Sequence, residues 1–139
     1  MINISSDSRN AKSGFLADIA RLCRIIENNS KASVTYRKGQ EVFHEGTRPM
    51  GVYFIKRGKV KTTSAGPFGE EKIVGILNAF SFVGYQELME GETYQCTATV
   101  IEQAEIYYIS REKFLELVEN ESELLNRIMN VLRYEPVAV

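Results

Sequence analysis

The sequence predicts a mainly β domain with helices at both ends, and three observations carry this. Between Val34 and Ile109, short runs of Val, Ile, Phe, Tyr and Thr alternate with glycine turns. Before them, Phe15, Leu16, Ile19, Leu22, Cys23 and Ile26 recur at helical spacing. After them, two further segments regain the helical period. Many short strands at this spacing build a sandwich, barrel or roll.

The first dozen residues, rich in Ser, Asn and Asp, read as a frayed start. An amphipathic helix follows from about Gly14 to Asn28, and Asn28, Asn29 and Ser30 end it. The strand candidates are Ser33–Arg37, Glu41–His44, Gly51–Lys56, Lys59–Ser64, Lys72–Ile76, Gln95–Ile101 and Glu105–Ile109. Lys38-Gly39, Glu45-Gly46, Arg57-Gly58, Pro67-Phe68-Gly69 and Gly91 separate them. Glycine at such corners adopts positive φ without a Cβ clash.

Ser110 is placed to cap a helix from Arg111 to Glu119, with Phe114, Leu115 and Val118 as its apolar stripe. A last helix starts at Ser122 and runs to about Tyr134, before Pro136. Its apolar residues cover more than a narrow stripe. One side is expected to meet the sheet and another a partner.

A chain of 139 residues suits one domain with a real core. Its formal net charge of -1 lacks the basic excess of a free-standing DNA binder. Cys23 and Cys96 form no CxxC pair, so neither a disulfide scaffold nor a cysteine-ligated metal is expected. There is no apolar leader and no membrane-length run, so the cytoplasm is the expected compartment. His44 is the only histidine, which speaks against a metalloenzyme and against a catalytic constellation. It is expected on the surface. Lys56 to Lys61 is expected to be a solvated hairpin with Val60 inward and Lys59 and Lys61 outward. Cys23 reads as a core thiol. Cys96 reads as buried or, if its pKa is low, as an oxidant sensor.

Several segments, in order, resemble the sensor domain of the Crp/Fnr regulators, a cyclic-nucleotide-binding domain. They are Tyr36-Arg-Lys-Gly-Gln-Glu-Val-Phe-His-Glu-Gly46, Gly51-Val-Tyr-Phe-Ile-Lys-Arg-Gly-Lys-Val-Lys61, Phe82-Val-Gly84, Thr97-Ala-Thr-Val100 and Tyr108-Ile-Ser-Arg-Glu-Lys-Phe114. The resemblance runs from about Phe15 to Leu132. It implies a double-stranded β-helix, a jelly-roll-like β-roll, with an N-terminal helix and C-terminal helices. It implies a domain at 14–134, after a flexible 1–13 and before a tail at 135–139. It also implies a regulatory ligand-sensing role without enzymatic activity.

In that family a phosphate cassette opens with Gly-Glu-Leu at a short helix and continues to an arginine that pairs with the phosphate. Here it maps onto Gly84, Tyr85, Gln86 and Glu87 and onto Tyr94, Gln95, Cys96, Thr97, Ala98 and Thr99. Tyr85 and Gln86 stand at the glutamate and leucine positions, and Cys96 at the arginine. The usual Pro-Gly-Asp corner upstream is Ala79-Phe80-Ser81. With both ligand-reading side chains replaced, standard cAMP binding is doubtful. No cofactor is assigned. A cyclic nucleotide held by backbone groups or another small-molecule effector remains open. So does a ligand-blind dimerisation module whose pocket Tyr85 and Phe80 plug.

Only five residues follow Tyr134, too few for the helix-turn-helix of those regulators, so no direct nucleic-acid contact by this chain is expected. Nor is a membrane partner. A homodimer through the last helix is expected, with Leu125, Ile128, Met129 and Leu132 as its seam.

Overall fold

The computed structural model describes residues 4–30 and 32–132. In chain order these form α1 (Ile4–Asn29), β1 (Val34–Tyr36), β2 (Glu41–Phe43), β3 (Gly51–Ala65), β4 (Glu71–Leu77), β5 (Phe82–Val83), α2 (Tyr85–Glu90), β6 (Thr97–Ser110), α3 (Arg111–Asn120) and α4 (Ser122–Leu132). The first helix begins at Ile4 rather than Gly14. The expected end of the last helix at Tyr134 and the tail at 135–139 lie outside the described residues.

Two long strands organise the sheet. β3 and β6 pair antiparallel along their length, from Gly51 opposite Ser110 to Thr63 opposite Thr97. β1 and β2 lie along β6, while β4 and β5 lie along β3. The ribbon bends where its register shifts, at Arg57 and Lys59 opposite Glu105 and Glu102. The bend folds the two halves of the ribbon over a shared core. Ile55, Ala104 and Ile106 come from one half, and Phe43, Val60, Ala98 and Val100 from the other. This is the expected roll.

The bend also corrects two strand boundaries. Arg57-Gly58 is not a hairpin turn, and Gly51–Lys56 and Lys59–Ser64 are one strand. Gln95–Ile101 and Glu105–Ile109 likewise merge into β6. The partner backbone decides this. At Gly58 φ is +98°, and a Cβ would lie 2.5 Å from the Gln103 carbonyl oxygen and 2.6 Å from Ala104 Cα. Glycine thus lets the two strands cross closely while both continue. Val60 is buried and Lys59 exposed, as alternation requires.

The helices cover one outer face of the roll. Val52 and Phe54 face them, while Ile55 faces the roll interior. Against Val52 and Phe54 pack Ile19, Leu22 and Ile26 of α1, Leu88 of α2, Phe114 and Leu117 of α3, and Leu124 and Ile128 of α4. Burying such side chains contributes about 1.5–3 kcal/mol each. Leu16, expected on the core face of α1, is 61% exposed, and Leu115 of α3 is also exposed. Ser110 caps α3 as expected, its hydroxyl accepting from the Lys113 N–H at 3.3 Å. Lys56 joins α1 to the roll through Glu27 at 2.8 Å, and the Tyr107 hydroxyl donates to the same carboxylate at 3.2 Å.

Candidate functional site

The segment from β5 to the start of β6 runs along one side of the roll. It begins at a strained corner. Phe80 has φ +73°, the one positive value at a non-glycine among the described residues. Its N–H donates to the Ile55 carbonyl at 2.6 Å, and the Ile55 N–H donates to Ser81 O at 3.0 Å. Phe80 therefore holds a backbone conformation that suits glycine. Gly84, at φ +84°, then ends β5 and caps α2. A Cβ there would meet Tyr94 Cε1 at 2.9 Å. Gly91, at φ +70°, closes α2.

A cavity of about 200 Å³ opens beside this segment, lined by Phe43, Thr62, Leu77, Phe82, Val83, Gly84, Tyr85, Gln86, Glu87 and Cys96. Half of the expected cassette residues meet here: Gly84, Tyr85, Gln86, Glu87 and Cys96. The others are dispersed. Ala98 is wholly buried in the roll core. Gln95 is exposed, with its amide 3.5 Å from Glu92. Thr97 and Thr99 line a different, polar cavity of about 230 Å³ with Glu41, His44, Glu45, Thr63, Glu70 and Glu71. Cys96, in the bend before β6, lines the first cavity, while strand alternation turns Thr97 and Thr99 away from the buried Ala98 between them. Sequence reasoning did not find Phe43, Thr62, Leu77, Phe82 and Val83. The alternation of the strands at 41–44 and 59–64 was the available signal for Phe43 and Thr62.

Tyr94 fills the roll interior next to this cavity. Its ring stacks on Phe43 with centroids 3.8 Å apart and planes 12° apart. Its N–H donates to Thr47 O and its carbonyl accepts from the Gly46 N–H, both at 2.9 Å. Tyr85 and Phe80, the expected plug, do not occupy the interior. Tyr85 walls the cavity and packs toward Phe114, with centroids 6.5 Å apart. Phe80 meets Phe15 edge-on at 6.4 Å.

Residues 33–121 match the sequence pattern described as the cyclic nucleotide-binding domain. The chain belongs to the cyclic nucleotide-binding domain family. It is 30% identical over 99 residues to the transcriptional activator protein Anr of Pseudomonas aeruginosa, a match covering 71% of this chain and 40% of Anr. The match thus spans less than half the length of that relative. The fold is similar to the catabolite activator protein of Thermus thermophilus, with TM-score 0.67 and 19% identity over 81% of this chain and 52% of that one. It is also similar to the c-di-GMP responsive global regulator CLP of Xanthomonas campestris, with TM-score 0.69 and 23% identity over 82% and 57%. The chain is a cyclic-nucleotide-binding domain resembling those of Crp/Fnr regulators.

Within this cyclic-nucleotide-binding domain the cavity is not a basic one. Its lining holds one charged group, Glu87, and no lysine, arginine or histidine among the described residues. Burial pushes the Cys96 thiol up, and Glu87 and Glu45 add to this, while a hydrogen bond with Thr62 pulls the other way. The thiol form is therefore favoured, which removes the physical basis for Cys96 as a low-pKa oxidant sensor. Cys23 is shifted up by burial as well. Burial also drives the Tyr94 phenol far above its ordinary range. His44 is on the surface as expected, its side chain 62% exposed and Nδ1 3.2 Å from Glu41. The described residues hold no group of three or more His, Cys, Asp or Glu side chains placed for a metal. No helix among them is long and apolar enough to cross a membrane.

A second cavity, of about 280 Å³, lies between α2, α3 and α4. It is lined by Phe82, Tyr85, Met89, Phe114, Val118, Leu125, Asn126 and Met129. The expected seam of the last helix divides here. Ile128 is 1% exposed and packed into the chain's own core, so it is not free to pair with a second copy. Leu125 and the 39% exposed Met129 line the groove. The Leu132 side chain lies outside the described residues. Asp18 of α1 accepts from Arg127 Nε and Nη2 at 3.0 and 3.1 Å, which holds α4 on α1, and Arg21 reaches Glu121, between α3 and α4, at 3.3 Å.

Proposed function

We propose that this chain is a regulatory ligand-sensing domain whose roll cavity reports its occupancy to α3 and α4. One observation carries the reading. Phe82 and Tyr85 line both the roll cavity and the groove under α3 and α4. Phe114 of α3 sits 5.7 Å from Phe82 and 6.5 Å from Tyr85, ring centre to ring centre. A ligand that displaces this shared wall changes the seat of α3 and α4. It shifts their equilibrium by as much as its affinity differs between the two positions.

The ligand is not cAMP held in the family's usual way. The position expected for a phosphate-pairing arginine is Cys96, and the one charged group in the lining is a carboxylate. The name of Anr, a transcriptional activator, supports a place in transcription control. In that setting this domain, in the cytoplasm and without catalytic activity of its own, pairs with a second copy through the Leu125 and Met129 face of α4.

The second reading, a ligand-blind interaction module, draws on the Tyr94–Phe43 stack that already fills part of the roll. Hydrogen exchange separates the two. Cys96→Leu adds carbon inside the cavity and imitates occupancy. Altered amide exchange along α3 and α4 is expected from a sensor. Exchange that changes only around Cys96 would leave the ligand-blind module.

A further inference from the structure

We propose that the ligand class of the roll cavity is a small molecule with an apolar body and a cationic end, an ammonium in the simplest case. This rests on reading that cavity as the sensing site. Phe43, Leu77, Phe82 and Val83 give the cavity a carbon wall. That wall rewards an apolar body and offers a phosphate or sugar few partners. Glu87 is the one charged group in the lining. It lies in the first turn of α2. Among the described residues the Glu87 carboxylate has no ion-pair partner and accepts no side-chain hydrogen bond, so it is free to take one from a ligand.

The surroundings have the same sign. Glu45 and Glu87 both act on the Cys96 thiol, and both disfavour a negative charge there. The neutral polar groups of the lining, the Thr62 hydroxyl and the Gln86 amide, are indifferent to ligand charge. The rings of Phe43, Phe82 and Tyr85 add to the carbon surface of the lining. The apolar walls and the sign of the one charged group therefore select the same class of molecule.

Three probes that share a phenylethyl body and differ in the charge at its end test this: 2-phenylethylammonium, 2-phenylethanol and 3-phenylpropionate. Each is titrated into the isotope-labelled chain while the amides of Gly84, Glu87 and Cys96 are followed by NMR. The ammonium is expected to bind most tightly and the carboxylate most weakly. Glu87→Gln is expected to weaken the ammonium about tenfold and to leave the alcohol unchanged. Glu87 is partly exposed, so the variant is expected to fold, and its melting temperature verifies that. Carboxylate binding as tight as ammonium binding overturns the inference, as does ammonium binding indifferent to Glu87→Gln. Silence of the three amides with all probes also overturns it. The sensing reading itself is judged separately, by the response of α4 to Cys96→Leu, which needs no ligand. If α4 responds there while the probes fail, the site is real and its assigned chemistry is wrong.

Discussion

Tyr94 lies flat on Phe43, with ring centroids 3.8 Å apart, and the same tyrosine ring closes over Gly84. This contact ties the end of the cassette loop to β2, whose Phe43 lines the cavity. Tyr94→Ala is expected to cost about 3–5 kcal/mol, in the range for removing a buried aromatic ring. No hydrogen bond of its hydroxyl is present among the described residues, so Tyr94→Phe is expected to cost less than about 1 kcal/mol. Denaturant unfolding of the two variants measures the difference.

Gly84 and Gly91 both have positive φ, but only at Gly84 would a Cβ strike a neighbour. Gly91→Ala carries the backbone cost alone, about 1 kcal/mol. Gly84→Ala adds the clash with the Tyr94 ring and is expected to cost about 1–2 kcal/mol more. Equal unfolding free energies for the two variants would contradict the contact.

Phe80 holds φ +73° while packing on Phe15. Alanine removes the packing and keeps the strain. Glycine removes both. Phe80→Gly is therefore expected to be more stable than Phe80→Ala by about 1 kcal/mol, against the usual order of glycine below alanine. Thermal unfolding of the pair tests the sign.

The Arg127 guanidinium, hydrogen-bonded to Asp18, holds that carboxyl below its ordinary pKa, with a smaller charge effect from Arg21. A lowered folded-state pKa gives stability that is present above the unfolded value, near pH 4, and is lost as pH falls through the folded one. Asp18→Asn is expected to lower the melting temperature at pH 7 and to match the parent at strongly acidic pH. The pair is partly exposed, so added salt is expected to narrow the gap at pH 7.

Much of the roll was legible because alternation and glycine corners survive in a single sequence. The strands around Val34, Phe43, Val52, Ile73 and Val100 all occur where the pattern puts them. Gly58 was ambiguous for a physical reason. A hairpin turn and a bulge in a continuing strand both need positive φ, and only the partner strand distinguishes them. The cassette was half legible. Period-two alternation in β6 already separates Ala98 from Thr97 and Thr99, and a contiguous reading of 94–99 overlooked it. The Tyr94 stack depends on a loop placement with no local signal. In α4, apolar residues on both sides of the helix left open which side meets the core. The Asp18–Arg127 pair, between residues far apart in sequence, helps fix Ile128 inward.

The most direct test of the account is a titration of cAMP into the isotope-labelled chain, followed at Gly84, Glu87 and Cys96. With one carboxylate and no basic side chain in the described cavity lining, the account predicts no saturable shift of these amides up to about 1 mM nucleotide, the level of a contact worth about 4 kcal/mol. Saturable shifts at all three amides with micromolar affinity would show that the cassette holds the phosphate without an arginine. The reading of the cavity as a site that refuses anions would then fall.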